Sequence, residues 1–180
     1  MVTEVALFLG KRLNGNGSKL DLKLVEAAAL LHDVGKQQSL ERGGDHALLG
    51  AQMLEGIAPP AVAAIVSEHV WLEPSQIAAP LTESVLVNYS DKRVKHEQVV
   101  SVEDRYHDLI ARYAKSLTHR QRLLEKLTLY LELEKQIFSH LNIAPLDVEI
   151  MGLTIDDLRG AGSDGNQETD CSAAGGRQIG

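Results

Sequence analysis

Four short stretches of this chain set imidazole or carboxylate groups against apolar, helix-forming runs. They are His32 and Asp33 in AAALLHDVGK, His46 in DHALLGAQML, His69 in IVSEHV and Asp91 in NYSDKR. Imidazole and carboxylate together suit a divalent Fe, Mn, Zn, Co or Ni ion, and the lack of a nearby cysteine argues against a structural zinc site. Placement makes the set informative. His32 ends one apolar helix, His46 begins the next, His69 ends the one after and Asp91 ends a fourth. Ligands at the ends of successive helices can converge on one point in a bundle, whereas ligands scattered along exposed faces cannot. Each residue alone also has a plainer reading. A histidine at a helix C-terminus suits the free carbonyls and the dipole there, and Asp45 suits an N-cap. His96, His107, His119 and His140 fall on charged helix faces and read as surface residues, while Met53 and Trp71 read as packing.

The elements that must position these groups read as helices. MVTEVALFLGKRL is a helix already under way at residue 1, with no capping residue and with Val5, Leu9 and Leu13 at helical spacing. Residues 14–18, NGNGS, form a turn. LDLKLVEAAALLHDVG runs from an N-cap at Asp21 to a stop at Gly35. A polar loop with Gly43 and Gly44 follows, and Asp45 caps HALLGAQMLEGI. Pro59 and Pro60 open AVAAIVSEHVWL, which Pro74 closes off. LTESVLVNYSDKR is a helix despite its valines, and Ser101 with Asp104 caps SVEDRYHDLIARYAKSL. The longest periodic run, THRQRLLEKLTLYLELEKQIFSHL, turns Leu123, Leu127, Tyr130, Leu131, Ile137 and Leu141 inward. No strand pattern and no repeat is evident. From Arg159 the composition turns to Gly, Ser, Asp, Asn and Gln, which predicts a disordered tail over 159–180. The expectation is an all-α helical bundle of about seven helices over residues 1–158.

Composition bounds the function. A chain of 180 residues supports one well-buried domain. Aromatic residues make up only 4%, so the core must be built from Leu, Val, Ile and Ala. The net charge of −7 excludes a general binder of long nucleic acid and leaves room for a local basic patch facing one phosphorylated ligand. Cys171 is the single cysteine, so no disulfide forms within the chain. No run is apolar enough to span a membrane and no signal-like start is present, which makes the cytoplasm the expected location.

Taken in order, LLHDVGK, DHALLGAQML, IVSEHV and NYSDKRVKHEQVVSVEDRY resemble the HD-domain metal-dependent phosphohydrolases. Within them the chain looks like the HDIG-type branch, with Val34 where that name has isoleucine. The resemblance implies an all-helical bundle holding one or two divalent ions and cleaving a phosphomonoester or phosphodiester in a nucleotide or small phosphorylated metabolite. It makes His32 and Asp33 the paired ligands and Asp91 the final aspartate. It makes His46 and His69 the extra histidines of a two-metal subclass in which Asp33 bridges both ions. Asp33 and Lys36 are the implied catalytic pair, with Lys36 near the substrate phosphate. Lys92 and Arg93, beside Asp91, are candidates for substrate contact, their plainer reading being a solvated helix end. Arg105 and Arg112 are further candidates on one helix face.

One expected ligand is absent. Relatives carry a histidine on the first helix, and aligning VTEVA with their sequence places it just before Met1. This predicts that Met1 is an internal start and that an N-terminal domain belongs to a longer protein. One metal position then keeps His32, Asp33 and Asp91, and the other keeps Asp33, His46 and His69. The alternative is a non-catalytic, degenerate HD-fold module that binds a nucleotide or serves regulation.

Overall fold

The computed structural model describes residues 1–150, with side chains through residue 148. Helix α1 (Val2–Gly15) buries Val5, Leu9 and Leu13 along one stripe, and full burial of each side chain is worth about 1.5–3 kcal/mol. Asp21 caps α2 (Leu22–Leu31), its carboxylate accepting the backbone N–H groups of Lys23 and Leu24. Asp45 caps α4 (His46–Leu54) in the same way through the Ala47 N–H. Pro60 opens α5 (Pro60–Glu68), and Thr82 caps α7 (Glu83–Asp91). The Ser101 hydroxyl accepts the Asp104 N–H at the start of α8 (Val102–Tyr113), and α9 (Leu117–Ser139) is the longest helix. The core forms where α1 packs on α2 and α7, α2 on α5 and α7, and α4 on α5, with α8 against α9.

These are the seven helices expected, and the structure adds to them. The segment 36–42, expected as loop, is helix α3 (Lys36–Arg42). It buries none of its residues, so KQQSLER carries no apolar period from which to read it. Helix α2 stops at Leu31, and residues 32–35 form a turn. Helix α5 ends at Glu68, and Pro74, expected to close it, instead opens a short α6 (Pro74–Ile77). A two-residue hairpin, β1 (Val94–Lys95) paired antiparallel with β2 (Gln98–Val99), follows α7, with His96 in the left-handed region at φ 56°. Helix α10 (Pro145–Ile150) ends the described chain. Met53 and Trp71, expected to pack, are half exposed. The expected tail at 159–180 and the boundary at 158 lie outside the described residues.

Candidate metal centre

The site begins where α2 ends. The last carbonyls of a helix lack intrahelical partners, and His32 uses one: its Nδ1–H donates to the Ala29 oxygen at 2.8 Å. That bond fixes the tautomer and leaves the Nε2 lone pair facing out of the helix end. His69, buried at the end of α5, repeats the device, donating from Nδ1 to the Val66 oxygen at 2.7 Å. The plain reading of these histidines as helix-end partners and their reading as ligands are thus satisfied by opposite ring nitrogens.

Helix α5 is held in place from behind. Asn88 of α7 donates to the Glu68 carbonyl at 3.1 Å, and the Tyr130 hydroxyl of α9 donates to the Asn88 side-chain oxygen. His46 arrives from α4 because the turn after α2 touches that helix at Gly35. A Cβ on Gly35 would lie 2.3 Å from the His46 oxygen and 2.4 Å from the Gly50 nitrogen, so only glycine permits the approach. Its φ of −81° is an ordinary value. Gly35, expected as the stop of α2, therefore serves contact, four residues beyond the helix end at Leu31.

The two oxygens of Asp33 face different partners. Oδ1 lies 3.4 Å from His46 Nε2 and 3.7 Å from His69 Nε2, and those two nitrogens are 3.2 Å apart. A point in their plane equidistant from all three atoms lies about 2.0 Å from each, the length of a transition-metal bond to imidazole or carboxylate. This triangle fits a divalent ion. Oδ2 lies 3.6 Å from His32 Nε2, which stands 3.7 Å from Asp91 Oδ1, a looser set at the other side of the same carboxylate.

Charge around the carboxylates matches that use. Burial pushes the Asp33 carboxyl up, but the neighbouring His69, the Lys36 ammonium and His32 outweigh it and hold it well below the usual range. Asp91 is likewise held low against its burial by the Lys92 ammonium and His32. Burial and the neighbouring His69 lower His46, which keeps it neutral and able to coordinate. For His32 the Asp91 carboxylate outweighs burial and raises the pKa.

Comparison with known proteins then decides the family. The HD domain family model matches residues 1–140. The chain belongs to the HD-domain family. That family is one of metal-dependent phosphohydrolases. The chain is 43% identical over 67 residues to ribonuclease Y of Acidothermus cellulolyticus, covering 36% of this chain and 14% of that protein. It is 34% identical over 119 residues to the tRNA (cytidine(56)-2'-O)-methyltransferase of Thermoplasma volcanium, covering 55% of this chain and 33% of that one. With ribonuclease Y of Geobacter sulfurreducens the identity is 35% over 83 residues, 45% of this chain and 16% of the relative. The chain thus spans a third or less of the length of these relatives. No solved structure matches.

Elsewhere the HD domain departs from what its sequence suggested. Lys92, whose plainer reading was a solvated helix end, is buried with its ammonium 2.6 Å from Asp91 Oδ2, and it borders a cavity at the site. Arg93 is a correction. It is fully buried and structural, donating to the Tyr89 hydroxyl, Glu134, the Val100 carbonyl and the Pro145 carbonyl. It borders neither cavity at the site. Lys36, its side chain 60% exposed, sits 2.7 Å from Asp33 Oδ2. Among the described residues, no helix is long and apolar enough to cross a membrane.

Two cavities meet at Asp33, Lys36, Asp91, Arg105 and Tyr113. One, of about 330 Å³, is mostly apolar and includes Trp71, Tyr106, Leu109 and Leu123. The other, of about 420 Å³, is polar and includes His32, His96, Arg112, Met1 and the first residues of α1, Val2 and Thr3. Sequence reasoning gave Arg105 and Arg112 little weight and passed over Tyr106, Leu109 and Tyr113. The signal existed: Arg105, Leu109 and Tyr113 recur every four residues on one face of α8.

Proposed function

We propose that this HD domain is a metal-dependent phosphohydrolase that cleaves a phosphomonoester or phosphodiester in a nucleotide or small phosphorylated metabolite. The observation that carries the reading is the division of Asp33, one oxygen toward His46 and His69 and the other toward His32 beside Asp91. The residues that would hold one or two divalent ions (Fe, Mn, Ni, Co or Zn) are therefore His46, His69 and Asp33 on one side and His32, Asp33 and Asp91 on the other. An ion held there supplies Lewis acidity, which acidifies water near neutral pH and offsets the negative charge of phosphoryl oxygens.

The chain's own groups do the rest. His32 and His69 present Nε2 lone pairs because their Nδ1 protons are committed to backbone carbonyls. Asp33, held low, is ionised near neutral pH and faces both histidine sets. Lys36, exposed beside it, can turn its ammonium from Asp33 to a phosphoryl oxygen, a charge-assisted hydrogen bond. Arg105 and Arg112 border the polar cavity and draw an anion toward it, although the whole chain carries −7. A small substrate suits this focused patch better than long nucleic acid. The ribonuclease Y relatives bear the name of enzymes that act on RNA, a phosphodiester, which supports a diester among the bonds to test.

One observation favours the second reading, a binding module without catalysis. The Lys36 and Lys92 ammonium groups already pair with the Oδ2 atoms of Asp33 and Asp91 at 2.7 and 2.6 Å, which partly satisfies the carboxylates without an ion. Hydrolysis of 4-nitrophenyl phosphate and bis(4-nitrophenyl) phosphate with added Mn or Fe separates the two. Metal-dependent release of nitrophenol from either, abolished by Asp33→Asn, is expected. Metal bound without any turnover would leave the binding module.

A further inference from the structure

We propose that the apolar cavity beside the metal centre is a subsite for the base of a nucleoside, with Trp71 stacking on it and Tyr106 reading its polar edge. The proposal deepens the phosphohydrolase reading and rests on it for one point, that the phosphoester lies at Asp33. It selects a nucleotide over a sugar phosphate as substrate.

The cavity lies between α8, the start of α9 and the segment after His69, and it opens directly onto Asp33, His46, His69 and Asp91. Its volume of about 330 Å³ is at the small end of ligand sites, which run to roughly 300–1,000 Å³. The chain has seven aromatic residues of the Phe, Tyr and Trp types, and three of them, Trp71, Tyr106 and Tyr113, border this one cavity. Two of the three are not packed away: Trp71 is 49% exposed and Tyr113 52%. A flat apolar face left half in solvent at the mouth of a cavity is a stacking platform, and every base has a π-face to offer it. Trp71 is also anchored. Lys126 of α9 donates to the carbonyl of its neighbour Leu72 at 2.8 Å and stands 5.6 Å from the indole ring.

Tyr106 supplies the second observation. It is 1% exposed, and its hydroxyl has no hydrogen-bond partner among the described residues. The other two buried tyrosines are satisfied, Tyr89 through Glu134 and Arg93, and Tyr130 through Asn88. A buried hydroxyl without a partner is costly and calls for one from outside the chain. The cavity it borders is the place from which that partner can come, and the edge of a base carries both donors and acceptors. A sugar phosphate would bring hydroxyls, not a planar face, against Trp71, Leu109 and Leu123. The polar cavity across Asp33 and Asp91, with Lys36, Arg105 and Arg112, already suits the phosphate and sugar.

Trp71 is the chain's single tryptophan, so its emission reports on this cavity alone. The test titrates the full chain, without metal, with adenosine, guanosine, cytidine and uridine, and separately with ribose. At least one nucleoside is expected to change Trp71 emission saturably, and ribose is not. Tyr106→Phe removes only the unpartnered hydroxyl and keeps the ring in the core, so a thermal melt is expected to show a fold as stable as the parent. The same variant is expected to weaken the preferred nucleoside about three- to ten-fold, the effect of one lost hydrogen bond. No response to any nucleoside, or an equal response to ribose, overturns the base subsite. Unchanged affinity in a folded Tyr106→Phe overturns the part given to Tyr106. Hydrolysis of bis(4-nitrophenyl) phosphate with Mn, measured in parallel, reports separately on the metal centre. Turnover without a nucleoside response defeats this inference alone, and a nucleoside response without turnover defeats the hydrolase reading alone.

Discussion

The Nε2 atoms of His46 and His69, from different helices, stand 3.2 Å apart. Since His69 Nδ1 donates to the Val66 carbonyl, its Nε2 carries a lone pair, and only a proton on His46 or a cation can hold the two nitrogens so close. Asp33 Oδ1 completes the triangle. His46→Ala or His69→Ala should therefore abolish tight binding at this position. The loss should exceed the 10–100-fold typical of removing a residue that merely orients a ligand. Calorimetric titration with Mn should show it, with any binding through His32 and Asp91 retained.

Gly35→Ala tests how the sequence brings Asp33 to His46. The added methyl would meet the backbone of His46 and Gly50, which cannot yield as a side-chain tip does. The turn must move away from α4, taking Asp33 from the two histidines. We expect a loss of about 1–3 kcal/mol in stability together with weakened metal binding. Urea unfolding and metal titration of the one variant would measure both.

Arg93 gives the opposite pattern. Its guanidinium, 3.0 Å from Glu134 and buried, ties the end of α7 to Val100 just after β2, to α9 and to the start of α10. Arg93→Ala leaves Glu134 and two carbonyls without their cation and should cost about 3–5 kcal/mol. Metal affinity of the folded fraction should be unchanged. A selective loss of substrate affinity with normal stability would restore the role first expected for it.

The metal-free protein should be most stable close to the ordinary histidine value of about 6.5. Asp33 and Asp91 titrate below the usual carboxylate value of about 3.9, so the stability they give is complete above it and is lost as the pH falls through their depressed values. His32 is raised, so its contribution is complete below about 6.5 and is lost as the pH rises through the raised value. His46 is lowered by burial and by His69, so it costs stability as the pH falls below about 6.5, and thermal melts across pH should show their maximum near that value. Asp91→Asn should flatten the acid limb and lower stability at neutral pH, because Lys92 would keep a buried charge without its partner.

The caps were legible because each is a local event: Asp21, Asp45 and Ser101 bond N–H groups two or three residues away. The candidate ligands were legible because helix ends are, and His32, His46, His69 and Asp91 all lie at or beside one. Helix α3 was not, since it buries nothing and so leaves no apolar period. Nor was the burial of Lys92 and Arg93. A run of two cations after a helix reads as solvated, and only the distant Glu134 and the Val100 carbonyl reveal otherwise for Arg93. The role of Gly35 was half legible: its position was evident, but the contact with Gly50 is a fact of packing.

Metal content of the purified chain, by inductively coupled plasma mass spectrometry without chelator or affinity-tag metal, tests the central claim most directly. At least one equivalent of Fe, Mn, Co, Ni or Zn is expected, lost altogether in Asp33→Asn because both histidine sets depend on that carboxylate. No bound metal after incubation with excess Mn or Fe, or full retention in Asp33→Asn, would contradict the claim.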